Sequence, residues 1–554
     1  MTKKTRVLSF ILFLFLLQSL FAQEIPYDKS GLRYDFRIHL LEAPEHNFDI
    51  LHYQFEWKIN FDASHILGKA VITSRSLIDG LNQIILHLAN EMAITGITQS
   101  MIPLTYSRRD DLLEIDLIQS INSGEEFSVE INYNGNPQAG LNFSYHQGEP
   151  IIWSLDEPID ARHWFPCYDL PNDKATAEMR VTVPGDMQVA SNGTLSQVIT
   201  NSDNTVTYNW KESYQIATYL ISVAATNYET YSDFYYSGSK AMEVRYFVYP
   251  EHLNQAQQDF SNTVFMIDFF SSVFGEYPFI EEKYGMAVIP PGPAMEHQTC
   301  TSYAANLITG NHSYDWIVAH ELAHQWWGDL VTPASWADIW LNEGFATYSD
   351  ALWHEHIYGS DGLKSRMANF KERYYGHIGA EHPIYNPPEG HLFCRIEYDK
   401  AAWVLHMLRF VVGDDSFFKI LKKYAQDYAY STASTEDFET VCEQVYGSDL
   451  GWFFNQWIYQ SGYPTYSFGW GYSEEDKVRV VINQTQTAFP LFKMPVEIKF
   501  VLPSGSVKKR FWVEKKNNTF EFFLEGKPSD VSFDPDSWVL CEAERVKKSG
   551  RGKR

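Results

Sequence analysis

With 554 residues, the chain is too long for a single ordinary hydrophobic core, and about two to four domains are expected. Hydrophobic residues make up 45% of the chain and aromatic residues 16%, which excludes a disordered protein. The formal charge of −26, from 44 basic and 70 acidic residues, argues against a nucleic-acid-binding protein, because phosphates are bound by clusters of lysine and arginine.

The N-terminus has the pattern of a targeting signal. Three basic residues within the first six positions precede an almost wholly apolar run, Val7 to Phe21, and Ala22 then precedes polar sequence. This pattern predicts a secretory signal peptide over residues 1–22, cleaved near Ala22–Gln23, and therefore a periplasmic or secreted protein. An N-terminal membrane anchor is the alternative, but the run is short for the roughly 20 residues that a spanning helix needs. No second run is long enough to cross a bilayer, so no membrane span is expected after cleavage.

The next segment, residues 23–231, is predicted to be a β-domain. Between Leu51 and Phe61, apolar and polar residues alternate strictly, which is typical of a strand with one buried face. Similar short runs, separated by Gly, Asn and Asp turns, follow at Gln83–Leu88, Leu112–Leu117 and Phe127–Tyr133. We expect these strands to form an antiparallel domain.

From about Phe260 the pattern becomes helical, and residues 232–465 are predicted to form a mainly helical domain. Apolar residues repeat at helical spacing at Phe265, Phe269 and Val273, and again at Ala401, Leu405, Leu408 and Val412. Two further helices are expected at Trp316–Trp327 and Asn342–Trp353, joined by a loop that contains Pro333.

Beyond Pro464 the pattern returns to strands, and residues 466–545 are predicted to form a small β-sandwich. Its predicted strands are Lys477–Asn483, Val496–Leu502, Val507–Val513 and Thr519–Leu524. A basic tail, residues 546–554, follows. The five cysteines (Cys167, Cys300, Cys394, Cys442 and Cys541) are scattered, and their spacing indicates neither a disulfide framework nor a thiolate zinc site.

The segment His320-Glu321-Leu322-Ala323-His324 has the spacing of a metal site. Residues four apart lie on one face of a helix, so both imidazoles can reach one ion, and Glu321 can reach its water. Catalytic zinc takes three protein ligands, and Glu343, at the head of the next predicted helix, is the expected third. The alternative is an ordinary amphipathic helix whose histidines are satisfied by hydrogen bonds. Two imidazoles and a carboxylate favour one Zn²⁺ per chain.

The stretch from His320 to Tyr348 (HELAHQWWGDLVTPASWADIWLNEGFATY) resembles the zinc-binding region of the aminopeptidase N family of gluzincins. The resemblance extends to the segments 157–169, 293–297 and 398–401, in the correct order, and covers roughly residues 30 to 465. It implies an α+β multidomain fold: an N-terminal antiparallel, saddle-like β-domain, a thermolysin-like and mainly helical catalytic domain, and a small C-terminal β-sandwich. It also implies a zinc aminopeptidase, which acts on peptides with a free N-terminus.

The resemblance assigns roles to individual residues. Glu321 is expected to act as the general base and Tyr398 as a donor to the oxyanion. Glu296 is expected to hold the substrate α-amine within a substrate-binding segment that includes Ala294 and Met295. Glu157 is either a second wall of the amine site or a cap of the turn before Pro158.

Two residues in these motifs differ from the family's pattern, and a third residue has two possible roles. Pro293 replaces the family's glycine and removes a backbone N–H. His297 replaces asparagine, which could change the pH response of the site near neutrality. Asp338 is either a carboxylate that orients a ligand histidine or, as the preferred interpretation, a solvated or capping residue.

Three other functions fit parts of the pattern. A thermolysin-like endopeptidase is disfavoured by the presence of Glu296. An epoxide hydrolase of the leukotriene hydrolase branch is disfavoured because the sequence is expected to leave no room for that branch's helical C-terminal domain. A non-catalytic peptide-binding protein is disfavoured by the intact set of candidate ligands. The preferred N-terminal residue, the biological substrate and the oligomeric state are not specified by the sequence.

Overall fold

The computed structural model describes residues 46–377, 379, 381–473 and 476–546. The predicted signal peptide and residues 547–554 of the predicted basic tail lie outside these ranges. Within the described residues, strands dominate both ends of the chain and helices dominate the middle, as expected from the change of hydrophobic period. No helix within these ranges is long and apolar enough to span a bilayer.

The N-terminal region consists almost entirely of strands. Its fifteen strands within the described residues are β1 Phe48–Asn60, β2 His65–Ser76, β3 Leu81–His87, β4 Met92–Gln99, β5 Ile102–Pro103, β6 Tyr106–Arg109, β7 Leu112–Ile121, β8 Glu126–Gly135, β9 Gly140–His146, β10 Glu149–Leu155, β11 Lys174–Pro184, β12 Gln188–Ser191, β13 Thr194–Thr200, β14 Thr205–Ala217 and β15 Val223–Thr226. All four predicted strands are present, with ends that differ by a few residues.

An eight-stranded sheet in the order β13-β14-β11-β1-β2-β8-β4-β5 forms the main layer of this region. The alternation along β1 is confirmed, because Tyr53, Phe55 and Trp57 are buried while the residues between them are not. The sheet is antiparallel except that β1 runs parallel to β11, with His52 opposite Thr176. Two smaller sheets, β12-β15-β10-β9 and β3-β7-β6, complete the region.

In the middle of the chain, the described residues form short strands and eight α-helices. The strands are β16 Glu229–Ser237, β17 Lys240–Val248, β18 Lys283–Ile289, β19 Thr301–Ala304, β20 Val331–Pro333 and β21 Ser431–Ala433. The helices are α1 Leu253–Asp259, α2 Thr263–Phe274, α3 Asp315–Ala323, α4 Trp340–Tyr375, α5 Ala401–Val412, α6 Asp414–Asp427, α7 Thr435–Tyr446 and α8 Gly451–Trp457. The sheet β16-β17-β18-β19 lies beside them. The predicted domain boundaries stay predictions, and the one at 231 falls inside β16.

The helices differ from prediction in length and in orientation. Helix α3 ends at Ala323, before the two tryptophans, and the chain then turns through Gly328, whose φ of 127° suits glycine. Helix α4 continues far beyond Trp353, with one break at Gly359. Helix α2 turns a different face to the core from the predicted one: Phe265 is 66% exposed, whereas Met266 and Phe270 are buried.

The C-terminal region is a sandwich of two sheets, as predicted. Its strands are β22 Thr465–Tyr472, β23 Lys477–Gln484, β24 Met494–Leu502, β25 Gly505–Val513, β26 Asn517–Phe523, β27 Asp530–Phe533 and β28 Glu542–Arg545. The sheets β26-β23-β22-β28 and β25-β24-β27 pack through aromatic side chains, among them Phe500 against Phe522 at 5.4 Å between ring centroids. The five cysteines, all within the described residues, are buried and form no disulfide.

Candidate active site

Two helices bring the three predicted metal ligands together. His320 lies in the last turn of α3, His324 follows the end of that helix, and Glu343 lies in the first turn of α4. The Nε2 atoms of His320 and His324 are 3.2 Å apart. Oε2 of Glu343 lies 3.3 Å from Nε2 of His320 and 3.4 Å from Nε2 of His324. The three ligand atoms therefore form a nearly equilateral triangle.

This triangle has the dimensions of a zinc site. Ligands at about 2.0–2.1 Å from a tetrahedral zinc ion lie about 3.3–3.4 Å from one another. Nδ1 of His324 lies 2.9 Å from the carbonyl oxygen of Trp327, so an N–H there donates to the carbonyl and leaves Nε2 free to act as a ligand. Side chains at all three positions are buried. The residues present fit one catalytic Zn²⁺, as the ligand spacing in the sequence predicts.

Asp338 is hydrogen-bonded to the start of α7 and does not orient a ligand histidine. Its Oδ1 accepts hydrogen bonds from the backbone N–H of Thr435 at 2.9 Å and from the Thr435 hydroxyl at 2.8 Å. Its Oδ2 accepts a hydrogen bond from the Ser335 hydroxyl at 3.0 Å. Asp338 thus fastens the chain before α4 to the start of α7, and the carbonyl of Trp327 orients His324 instead.

The electrostatic field of the site is negative. Burial by itself lowers the pKa of His324, but the carboxylates of Glu296, Glu343 and Glu321 outweigh it and raise this pKa to about 10. Glu321, the predicted general base, is fully buried on α3 and contributes to this field. A pocket that favours positive charge so strongly is suited to a metal ion and to a cationic ligand.

A group of acidic side chains lies directly beside the metal triangle. One carboxylate oxygen of each of Glu157, Glu296 and Glu343 lies within 4.8 Å of the others, and all three residues are buried. Oε1 of Glu296 is also 3.9 Å from Nδ1 of His324. Carboxylates packed this closely repel one another unless a cation lies among them. We call Glu157 and Glu296 the acidic wall.

The loop that bears Glu296 is held by hydrogen bonds that the sequence does not reveal. Met295 and Ser302 form an antiparallel bridge, with backbone N–H···O distances of 2.9 and 2.8 Å. Gln325, the residue after His324, donates from Nε2 to the carbonyl of Glu296 at 3.3 Å and accepts from the N–H of Thr299 at 2.9 Å. Gln325 therefore connects the metal-binding turn to the acidic wall, a role that its place in the sequence does not reveal.

The remaining predicted residues of the motif around Glu296 are close to it. Ala294 and Met295 are fully buried. Nδ1 of His297 lies 3.0 Å from the hydroxyl of Ser302, so its imidazole helps to close the loop. Pro293 is partly exposed at the start of the segment.

Tyr398 reaches the metal site from a third element. It lies in a π-helical turn, Ile396–Lys400, just before α5, and its hydroxyl donates to Oε1 of Glu343 at 2.5 Å. Its ring lies nearly parallel to that of His320, with centroids 6.1 Å apart. Oε2 of the same carboxylate faces the histidines, so Glu343 links Tyr398 to the metal triangle.

Tyr219 is a further residue of the site that sequence reasoning missed. Its hydroxyl accepts a hydrogen bond from Nδ2 of Asn342, the neighbour of Glu343, at 3.1 Å. Burial raises its pKa, and the carboxylates of Glu296 and Glu157 add to the rise. Tyr219 therefore lies beside the acidic wall, but a single tyrosine in so aromatic a chain gives no signal before the fold is known.

The sequence matches two domain families, and the two matched ranges together contain the residues of the site. Residues 50–220 match the peptidase M1 N-terminal domain, and residues 259–457 match the peptidase family M1 domain. The first match includes Glu157 and Tyr219. The second includes the metal triangle, Glu296, Glu321 and Tyr398.

The chain is also similar to individual proteins of known name. The chain is 30% identical to aminopeptidase M1 of Arabidopsis thaliana over 407 residues, which are 68% of this chain and 44% of that protein. It is 26% identical to leukotriene A-4 hydrolase of Xenopus laevis over 427 residues, which are 72% of this chain and 68% of that protein. The chain thus spans less than half the length of the Arabidopsis aminopeptidase.

A solved structure is similar in fold as well as in sequence. The crystal structure of an M1 zinc metallopeptidase mutant from Deinococcus radiodurans, bound to a Tyr-Ser-Ala substrate, matches with a TM-score of 0.66 at 25% identity. The match covers 74% of this chain and 94% of that one.

Proposed function

The chain belongs to the peptidase M1 family, and from that premise we propose that it is a zinc aminopeptidase, which hydrolyses the first peptide bond of peptides with a free N-terminus. The observation that carries this proposal is the position of the acidic wall. Its carboxylates lie within 4.8 Å of a ligand of the metal triangle. The substrate bound by the Deinococcus relative, a short peptide, supports the substrate class.

The acidic wall supports recognition of an α-ammonium group. A cation that enters a buried cleft loses its hydration, so it binds only where anions replace the lost water. Glu296 and Glu157 supply two such anions, both buried. An ammonium group held by these carboxylates would lie close to the triangle, and this supports a position of the first peptide bond over the metal. This arrangement favours an exopeptidase over an endopeptidase.

The chemistry is then divided among residues of three elements. His320, His324 and Glu343 would hold zinc, which when bound supplies Lewis-acid chemistry that polarises a carbonyl and acidifies water. Glu321, on the same helix as His320, takes the proton from the attacking water and passes it to the departing amine. Tyr398 turns its hydroxyl from Glu343 to the oxyanion of the tetrahedral intermediate and donates a hydrogen bond to it.

The N-terminal sequence supports a role outside the cytoplasm. The basic and then apolar pattern of residues 1–22 supports a signal peptide, and we propose a periplasmic or secreted enzyme.

Replacing Glu296 tests the proposal directly. We expect Glu296→Gln to lower kcat/KM for an aminoacyl chromogenic amide by more than about tenfold, with effects on both KM and kcat. The reason is that a hydrogen bond to a charged group contributes about 1.5–3 kcal/mol, and a misplaced amine also misplaces the scissile bond. Steady-state kinetics of the variant and the wild type measure the effect.

The matched control for this variant is Glu281→Gln, because Glu281 is 66% exposed and pairs with surface Lys240. We expect that variant to keep wild-type kinetics. If Glu296→Gln also kept wild-type kinetics, the amine would be held elsewhere and the assignment of the acidic wall would be wrong.

Replacing Tyr398 tests the proposed oxyanion donor. We expect Tyr398→Phe to lower kcat by about 10²–10³-fold and to leave KM nearly unchanged, because the lost hydrogen bond forms only in the transition state. The control Tyr208→Phe removes a buried phenol that donates to the carbonyl of Met187, and it should leave kcat unchanged. A loss confined to KM in Tyr398→Phe would instead assign this residue to substrate binding.

A further inference from the structure

A second cluster of ligand-type side chains precedes Tyr398 in the chain and has no part in the proposed reaction. Sγ of Cys394 lies 3.6 Å from Nε2 of His382, and Oε1 of Glu397 lies 3.7 Å from the other nitrogen of the same ring, Nδ1. One ligand atom of each of the three residues lies within 4.8 Å of the others. Cys394 is 8% exposed, His382 6% and Glu397 0%. The cluster is therefore buried but close to the surface.

The contact between sulfur and nitrogen has the length that a shared metal ion requires. Zinc binds thiolate sulfur at about 2.3 Å and imidazole nitrogen at about 2.0–2.1 Å, so tetrahedral ligands of these types lie about 3.5–3.6 Å apart. The observed 3.6 Å between Cys394 and His382 agrees with this value. It is also within the range of a weak S–H···N hydrogen bond, so distance alone does not decide between the two.

The hydrogen bonds around the cluster favour the metal. Nδ1 of His382 lies 2.8 Å from the carbonyl oxygen of Pro383, so its N–H donates there and the lone pair of Nε2 points toward Cys394. Metal-binding histidines are usually fixed in this way by a backbone carbonyl. Oε2 of Glu397 accepts from the N–H of Cys394 at 3.3 Å, whereas its buried Oε1 accepts no hydrogen bond from any residue within the described part of the chain. A buried acceptor oxygen beside a thiol and an imidazole is a vacant ligand.

The charges around the cluster are also consistent with a divalent cation. Lys400, whose charge acts on both Glu397 and His382, is buried, and its Nζ lies 3.4 Å from Oε2 of Glu381. A divalent ion bound to thiolate, carboxylate and neutral imidazole would form a neutral unit, with the thiol and carboxyl protons released to solvent.

We propose that His382, Cys394 and Glu397 form a second metal site, which takes Zn²⁺ or another divalent ion that binds both thiolate and imidazole. The three protein ligands leave the fourth position to water. Glu397 and Tyr398 are consecutive residues of the same π-helical turn, so an ion bound by Glu397 fixes the backbone that carries Tyr398. The site is distinct from the triangle of His320, His324 and Glu343 and contains the sulfur ligand that the triangle lacks.

Cobalt substitution tests this site by a readout other than activity. The full-length protein is stripped with a chelator and titrated with Co²⁺, while bound cobalt and the near-ultraviolet spectrum are measured. We expect two Co²⁺ per chain and an intense thiolate-to-cobalt charge-transfer band. Cys394→Ala should bind one Co²⁺ and lose the band. One Co²⁺ per chain and no band in the wild type would overturn the proposal and leave the cluster as a hydrogen-bonded Cys–His–Glu unit.

Two further variants make the assignment specific. Cys442→Ala removes a buried cysteine of α7 outside the cluster, and it should keep both ions and the band. Glu343→Gln should lose the other ion and keep the band, which separates this site from the proposed catalytic one. The wild-type spectrum alone can overturn the proposal, because a missing band excludes a sulfur ligand whether or not Cys394→Ala folds. A band that persists in that variant would assign the sulfur to another cysteine and contradict the proposal.

Discussion

Glu321→Gln is expected to abolish nearly all peptidase activity while the protein keeps its zinc. The carboxylate is fully buried on α3, between the two histidines in sequence, and the amide that replaces it has the same shape but accepts no proton. A positioned general base contributes about 10²–10⁴-fold to the rate, so we expect kcat to fall by that factor. The measurements are kcat on an aminoacyl amide and the zinc content of the same preparation.

The control for this variant is Asp315→Asn at the start of the same helix. Asp315 is half-buried and accepts a hydrogen bond from Asn262, so its replacement perturbs α3 without touching the site. We expect kcat of the control to stay close to that of the wild type. A Glu321→Gln enzyme that kept both its zinc and its activity would show that another group takes the proton.

Glu343→Gln is expected to lose one bound zinc ion per chain and, as a consequence, its activity. Oε2 of Glu343 completes the triangle with both histidines, and a neutral amide oxygen is a much poorer zinc ligand than a carboxylate. Replacing residues that merely support metal ligands costs about 10–100-fold in metal affinity, so the loss of a ligand should exceed about a hundredfold. Competition with a chromophoric chelator measures the affinity.

The exposed Glu372, near the other end of α4, supplies the control Glu372→Gln. That variant should bind zinc with wild-type affinity and retain its activity. Full activity of Glu343→Gln at limiting zinc would mean that another residue supplies the third ligand. The assignment of Glu343 as a zinc ligand would then be wrong.

The metal site could be predicted from the sequence because its geometry is mostly local. His320 and His324 are four residues apart on a helix or its end, and this spacing alone places both imidazoles on one side. Glu343 could be predicted from its place at the head of the next helix, and the resemblance to a family supports the same assignment. The strands of the N-terminal region were similarly predictable, because the alternation in β1 follows directly from one buried face.

Other features depend on contacts between distant segments and left no local signal. The exposed position of Phe265 on α2 results from which neighbours cover the helix, whereas its apolar spacing suggested a buried face. Gln325 is hydrogen-bonded to the loop that carries Glu296. Tyr219 is hydrogen-bonded to Asn342, the neighbour of Glu343. The scattered cysteines predict no thiolate site, and the sequence gives no signal that Cys394 lies beside His382, twelve residues before it.

The most direct test of the account compares the hydrolysis of a peptide with that of the same peptide acetylated at its N-terminus. Both are given to the wild-type enzyme, and products are identified by mass spectrometry while kcat/KM is measured. Because acetylation removes the charge that Glu296 and Glu157 are proposed to hold, we expect kcat/KM to fall by at least about a hundredfold. The free peptide should lose single residues from its N-terminus. Equal rates for the two peptides, or cleavage at internal bonds, would contradict an acidic wall that selects the free amine.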